Sequence, residues 1–232
     1  MKKITPLALM AMCLMLFACV RVSTRPEKAT QVKQVNQVIA LEQFDKITIT
    51  DAMQVTYETG DSCSVMVNAP KDVFEQLVIY VDRGYLCIDT KRQSSIGSML
   101  IDMSQAKIHV TCPALKSIEV TGSGSFVCDR PVTTDNLKVG LTGSGTINLT
   151  NLTCDKVDTD LTGSGVVTFG TLNAKRVESD VTGSGSIVYS DLHSDYAESK
   201  VTGSGNVSLT GSVLKHDESV TGSGSIETSG LK

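Results

Sequence analysis

The tetrapeptide Thr121-Gly122-Ser123-Gly124 decides the fold of this chain, because it recurs at a nearly constant interval through the second half of the 232 residues. Successive copies are separated by 21, 20, 20, 20 and 19 residues. The six copies begin at Thr121, Thr142, Thr162, Thr182, Thr202 and Thr221. A fixed period of about 20 residues is typical of repeat proteins, in which each unit is one supersecondary element stacked on its neighbours.

The residues around each copy alternate with a period of two, as expected of strands with one apolar face. One residue before each Thr stand Val120, Leu141, Leu161, Val181, Val201 and Val220. Five residues after each Thr stand Phe126, Ile147, Val167, Ile187, Val207 and Ile226. One unit cannot bury this face alone, but units stacked at about 4.8 Å pair their strands and enclose a narrow core. The sequence therefore predicts an all-β parallel β-helix over residues 117–232, with glycines at its corners.

The first 37 residues are interpreted as a leader and a tether. Two lysines precede an apolar run over residues 4–18. This run is shorter than a membrane-spanning helix of about 20 residues and predicts a signal peptide over residues 1–18. Leu16-Phe17-Ala18-Cys19 resembles the bacterial lipobox, so we expect lipid on Cys19. A plain signal peptide with a chance cysteine is the alternative. Residues 19–37 are polar and are expected to form a flexible tether.

Residues 38–116 predict an N-terminal β-rich region that caps the solenoid. We expect one helical turn within residues 70–77 and a hairpin over residues 78–89, around the turn Asp82-Arg83-Gly84. The cysteines beyond the leader are Cys63, Cys87, Cys112, Cys128 and Cys154. Their odd number and irregular spacing argue against a disulfide framework and against a zinc site. All of them except Cys87 lie in phase with apolar neighbours and are interpreted as small buried hydrophobic residues.

From Phe44 to the C-terminus the chain resembles the "putative auto-transporter adhesin head domain" family, a domain of unknown function found in Bacteroidetes lipoproteins. The resemblance rests on the lipobox, on Ile108-His109-Val110-Thr111-Cys112-Pro113-Ala114-Leu115 and on the Thr-Gly-Ser-Gly series. It implies a right-handed, single-stranded parallel β-helix for the repeats. It implies little about function, since the adhesin label is itself inferred from the fold.

Charge and motifs exclude several classes of function. The net charge is -4 at pH 7 without a basic cluster, whereas nucleic-acid binders show a basic field. The repeated Gly-Ser-Gly is neither a G-x-G-x-x-G phosphate loop nor a G-x-S-x-G nucleophile elbow. Six equivalent serines also favour structural corners, because a catalyst needs one activated copy. We therefore expect no catalytic residue, no metal site and no cofactor.

The outward positions that precede each corner are the candidate functional site. Four residues before the Thr, consecutive coils carry Asp158, Glu178, Glu198 and Asp217. Two residues before it, Asp160 is followed by Asp180 and then by Lys200. Stacked like charges repel, so a divalent cation could bridge them, or paired carboxylates could cleave a glycan. A solvated face is favoured, because Lys200 interrupts one column and no His, Arg or aromatic side chain is expected to face these carboxylates.

These observations predict a non-catalytic, lipid-anchored, adhesin-like binding module of the cell envelope. We expect an outer membrane lipoprotein, on either face of that membrane, with the membrane as one partner and a protein or glycan as its ligand. One alternative is a polysaccharide-active β-helix enzyme that uses the outward acidic columns. Another is a purely structural envelope protein that forms homo-oligomers through a solenoid end.

Overall fold

The computed structural model describes residues 33–91 and 101–232, so the leader, Cys19 and most of the tether lie outside the described residues. Within these ranges strands dominate, and no helix is long and apolar enough to span a membrane. The first half contains β1 (Gln34–Ala40), β2 (Lys46–Thr50), β3 (Gln54–Thr59), β4 (Ser64–Pro70), α1 (Lys71–Phe74), β5 (Leu77–Asp82), β6 (Tyr85–Thr90), a 3-10 turn (Met103–Gln105) and β7 (Lys107–Cys112). The second half contains β8 (Ser117–Gly122), β9 (Ser125–Cys128), β10 (Val132–Thr133), β11 (Asn136–Gly143), β12 (Thr146–Gly163), β13 (Val166–Gly183), β14 (Ser186–Gly203), β15 (Asn206–Gly222) and β16 (Ser225–Leu231).

The second half is a parallel β-solenoid, which confirms the predicted fold class. Strands β12 to β15 each follow almost a whole coil, and each pairs in parallel with the next. Leu161 lies opposite Val181, and Val181 lies opposite Val201, with all three buried. The equivalent positions on the following side stack in the same way, from Phe126 to Ile226. Matching apolar residues therefore form continuous columns that fill the narrow interior.

A short polar column also runs inside the solenoid. Thr159, Ser179 and Ser199 lie opposite one another in consecutive coils, and all three are buried. The Ser179 hydroxyl is hydrogen-bonded to the Tyr189 hydroxyl at 2.8 Å. The Tyr189 ring is stacked on Phe169 with 4.9 Å between ring centroids. We call Thr159, Ser179 and Ser199 the hydroxyl column.

The N-terminal region contributes a further coil that its sequence did not reveal. β2 pairs in parallel with β8 and places Thr50 opposite the corner residue Thr121. β3 pairs in parallel with β9 in the same way. Asp51 then takes the place of the corner glycine, with φ at +71°, in the left-handed region that aspartate enters more readily than most residues. One hydrophobic core thus extends from β2 to the C-terminal coils.

Antiparallel strands close the N-terminal end of the solenoid. β4 pairs antiparallel with β7 and carries β1 on its other edge, while the hairpin of β5 and β6 joins β2 through β6. The hairpin is the one predicted. Arg83 and Gly84 both have positive φ, as the two central residues of a type I′ turn require. The predicted helical turn is also present, as α1. The parallel pairing of the coils therefore ends here in a different strand arrangement.

The interpretation of the cysteines as small buried hydrophobic residues is wrong for one pair, which forms a disulfide. Cys63 and Cys112 are joined, because Cys63 precedes β4, Cys112 ends β7, and these strands are antiparallel neighbours with Ser64 opposite Thr111. The bridge closes a loop between residues that are 49 positions apart, so no short spacing announces it. Among the described cysteines, Cys87, Cys128 and Cys154 remain free. Burial raises the pKa of the Cys154 thiol to about 12, which agrees with a buried, unreactive cysteine.

Replacement of a corner glycine is expected to destabilise the solenoid. Gly183 has φ at +120°, and a Cβ added there would lie 2.5 Å from the carbonyl oxygen of Gly163 in the preceding coil. For Gly183→Ala we expect a loss of at least about 1–3 kcal/mol in the free energy of unfolding, from backbone conformation alone, and more from the contact. Urea unfolding followed by circular dichroism measures it.

Gly140→Ala is the matched control, because Gly140 also lies in a strand of the solenoid. A Cβ there meets nothing nearer than the Glu119 Cγ at 3.6 Å. We expect a change within about 0.5 kcal/mol for this variant. Equal losses in the two variants would contradict the proposed role of the corner.

Candidate functional site

All six acidic residues singled out from the sequence lie on one outer side of the solenoid, the side that precedes each Thr corner. Asp158, Glu178, Glu198 and Asp217 lie opposite one another in consecutive coils. We call these four residues the acidic column. Asp160 lies opposite Asp180, and Asp180 lies opposite Lys200, so these three residues form the mixed column. The structure therefore places these outward residues as the spacing predicted.

A third column beside the carboxylates was missed in the sequence analysis. Lys156, Arg176, Tyr196 and Lys215 lie opposite one another six residues before the corner Thr of each coil. We call them the basic column and use "charged face" for the three columns together. The expectation that no arginine or aromatic side chain faces the carboxylates is therefore wrong. The 20-residue spacing does relate these four residues in the sequence. The column was missed because it contains three cations and a tyrosine, so no single residue type repeats at this position.

Ion pairs between neighbouring coils offset the repulsion within the acidic column. Lys156 Nζ lies 2.7 Å from a Glu178 carboxylate oxygen, and Arg176 also donates to Glu178. Arg176 reaches onward to Glu198, with 3.5 Å between the guanidinium nitrogen and the carboxylate oxygen. Hydrogen bonds from Lys156 and Arg176 lower the pKa of Glu178, so this residue stays ionised. The cations are thus placed to neutralise the column without any bound ion.

Tyr196 lies within the basic column and contacts two cations and two carboxylates. The Arg176 guanidinium lies 4.3 Å from its ring centroid, and the Lys215 ammonium lies 5.1 Å from it. The Tyr196 hydroxyl donates its one proton to Asp217 at 2.8 Å, and a Glu198 carboxylate oxygen lies 3.3 Å from the same hydroxyl oxygen. The bond to Asp217 raises the pKa of Tyr196 to about 12, because loss of the phenolic proton would leave two anions in contact. The tyrosine therefore acts as a neutral hydrogen-bond donor between two carboxylates.

A cleft of about 290 Å³ lies between the acidic and mixed columns. Its lining consists of Asp158, Asp160, Glu178, Ser179, Asp180, Glu198 and Lys200. Burial raises the pKa of Asp180, and the nearby carboxylates of Asp160, Asp158 and Glu198 raise it further, against the opposing effect of Lys200. Asp180 therefore holds a proton more readily than an ordinary aspartate.

The described residues provide weak support for a metal ion at this face. Within residues 33–91 and 101–232, no cluster of three or more His, Cys, Asp or Glu side chains has an arrangement that could hold one. Glu178, Glu198 and Asp217 instead accept from lysine or arginine. Lysine and arginine already supply the positive charge that a bridging cation would bring. The charged face is consequently a surface of alternating fixed charges.

Solved structures share this fold. A protein described as a putative adhesin from Bacteroides fragilis has a TM-score of 0.68 and 21% identity, over 84% of this chain and 96% of that one. A putative adhesin from Parabacteroides merdae has a TM-score of 0.71 and 16% identity, over 85% and 96%. A protein described as a putative lipid binding protein from Parabacteroides distasonis has a TM-score of 0.63 and 22% identity, over 85% and 97%. At these identities the likeness establishes the fold alone.

No curated protein is significantly similar to the chain in sequence. The model of one protein family does match it, over residues 43–231, from before β2 to the last residue of β16. The match covers the N-terminal coil, the antiparallel strands of β4 to β7 and the whole Thr-Gly-Ser-Gly series. The chain therefore belongs to the family described as "Putative auto-transporter adhesin, head GIN domain".

Proposed function

We propose that the chain is a non-catalytic, lipid-anchored binding module of the cell envelope, which presents its charged face to a protein or glycan ligand. The observation that carries the proposal is the regular arrangement of the acidic and basic columns along the same coils. The face carries both signs of charge, with six carboxylates beside Lys156, Arg176, Lys200 and Lys215, and Lys138 of the preceding coil pairs with Asp160. Such a surface favours a partner that also carries both signs, because charge complementarity gives orientation and specificity.

The family and the solved relatives support this proposal. The family is described as a "putative auto-transporter adhesin, head GIN domain", and two of the relatives named above are described as putative adhesins. A rigid solenoid suits such a role, since stacked repeats create extended binding surfaces from side chains at fixed spacing. The Cys63–Cys112 disulfide supports a place in the oxidising envelope, because disulfides persist there and are rare in the cytosol.

The ligand surface is tested by reversal of one charge. Glu178→Lys places a cation against Lys156 and Arg176, and it should lower the affinity for any ligand of the charged face by about tenfold, or about 1.4 kcal/mol. Biolayer interferometry against immobilised extracellular-matrix proteins, mucins and surface polysaccharides measures the effect.

Asp155→Lys is the matched control. Asp155 pairs with Lys175 at 2.7 Å, as Glu178 pairs with Lys156, but it lines a separate groove on the adjoining side of the same coils. An exposed pair of this kind contributes little to stability, so the affinity should change by less than about twofold. Equal losses of affinity in the two variants would argue against the charged face as the ligand surface.

The anchor is tested at the lipobox. Cys19→Ala should abolish incorporation of labelled palmitate and release the protein from the membrane fraction, because a lipidated Cys19 is the proposed attachment. Cys13→Ala removes the other cysteine of the leader and should leave labelling unchanged. Labelling that persists in Cys19→Ala would contradict a lipid anchor at this residue.

Polysaccharide cleavage is the rival function, and one observation favours it. The raised pKa of Asp180 is the property required of a general acid, and Asp160 lies opposite it in the neighbouring coil. The rival predicts release of reducing ends from at least one polysaccharide in a broad panel, with loss in both Asp160→Asn and Asp180→Asn and full activity in Asp155→Asn. A wild-type protein inactive against the whole panel would count against this rival.

A further inference from the structure

The outer edge of the C-terminal coil is open along most of its length. β15 pairs with β14 as far as Gly222, but β16 pairs only with residues 206–208 and 210–211 of β15. Within the described residues, Ser212–Gly222 of β15 therefore has no strand on its far side. An unpaired strand edge of this length is a template for the addition of another chain. Exposed apolar side chains at the same end add to that tendency, with Leu214 81% exposed and Val220 44% exposed.

At two inward positions, the C-terminal coil carries an ionisable residue where the preceding coil carries Ala197 or Ser199. His216 lies opposite Ala197, in a column that is otherwise Leu137, Val157, Val177 and Ala197. Glu218 lies opposite Ser199 and thus follows the hydroxyl column, which Val139 precedes. The His216 Nε2 lies 3.3 Å from the Ser199 Oγ, so its ring covers the last buried hydroxyl. Ionisable groups thus enter these inward columns at the coil whose edge is open.

We infer that His216 and Glu218 form a barrier to self-association, which prevents a second copy of this chain from stacking on the C-terminal coil. A second coil stacked at about 4.8 Å would enclose the Glu218 carboxylate in the interior next to Ser199, away from water, where an ionised group without a compensating charge is strongly disfavoured. Charged residues directed inward on an edge strand are a known means of blocking strand addition. The barrier acts against the homo-oligomer that the open edge and Leu214 would otherwise favour.

The two ends of the solenoid differ, and this difference predicts which oligomer would form if the barrier were removed. The N-terminal end is built differently, because its outermost strands are the two short, separate strands β1 and β5, each paired antiparallel with its neighbour. It therefore does not offer the continuous edge of a further coil. Contact between two copies through the open edge would therefore bring one C-terminal coil against the other. An interface of one patch with the same patch is closed by a two-fold axis, and it yields dimers rather than filaments.

The experiment restores the residues of the preceding coil at both inward positions. His216→Ala with Glu218→Ser reproduces Ala197 and Ser199, and the full chain is studied by sedimentation velocity over a concentration series. The wild-type protein should keep one sedimentation coefficient throughout. The double variant should show about a doubling of weight-average mass with concentration and no larger species. Glu227→Ser is the matched control, since Glu227 lies opposite Ser208 at the same end on an outward position, and it should stay monomeric.

Two results would overturn the inference. One is a folded double variant that remains monomeric at the highest concentration, and the other is a wild-type protein that dimerises. Circular dichroism establishes whether the double variant is folded. If it is not, Glu218→Ser alone, which leaves His216 against Ser199, is measured in the same way. Partial dimerisation of this single variant would support the barrier, and its absence would overturn it.

Discussion

The structure depends on one constraint, the exact register between consecutive coils. Each strand satisfies its backbone groups through the coil before it and the coil after it, so a coil has no independent stability. Register also places like side chains together, because residues separated by one repeat lie opposite each other. In the interior this produces apolar columns, from which water is excluded. On the outside it produces columns of like charge, and the repulsion within each column must be offset by oppositely charged side chains at neighbouring positions.

The charged face shows how this second requirement is met. Glu178 and Glu198 would repel each other if they were alone, but Arg176 contacts both. Lys156 approaches Glu178 from the preceding coil, and Lys200 lies 2.6 Å from Glu198 within its own coil. The partners thus come partly from the same strand and partly from the neighbouring one. Glu178 accepts hydrogen bonds from Lys156 and Arg176, which lower its pKa. Asp180 has no such bond, so desolvation and the neighbouring carboxylates outweigh Lys200 and raise its pKa.

The part of the fold that repeats could be predicted from the sequence, and the rest could not, for physical reasons. Six copies of a corner tetrapeptide fix the period, and the period fixes which side chains face inward and which face outward. The N-terminal coil was not predicted, because Asp51 replaces the corner glycine. The motif is therefore absent, although the positive φ of the corner is kept. The Cys63–Cys112 bridge depends on antiparallel pairing between distant strands, which no local pattern encodes. The candidate site was predicted in its carboxylates alone, since Arg176 and Tyr196 vary in type within one column.

The stacked corners have a consequence for how such genes change in length. Gly163 and Gly183 occupy the same place in successive coils, exactly one repeat of 20 residues apart. Replication slippage that removes or duplicates one such unit joins equivalent points of the chain, so the interior columns remain continuous. The solenoid becomes shorter or longer by about 4.8 Å, while the antiparallel strands at one end and the coil with His216 and Glu218 at the other are kept. The length of the solenoid can therefore change in whole steps of one coil, without any redesign of the core.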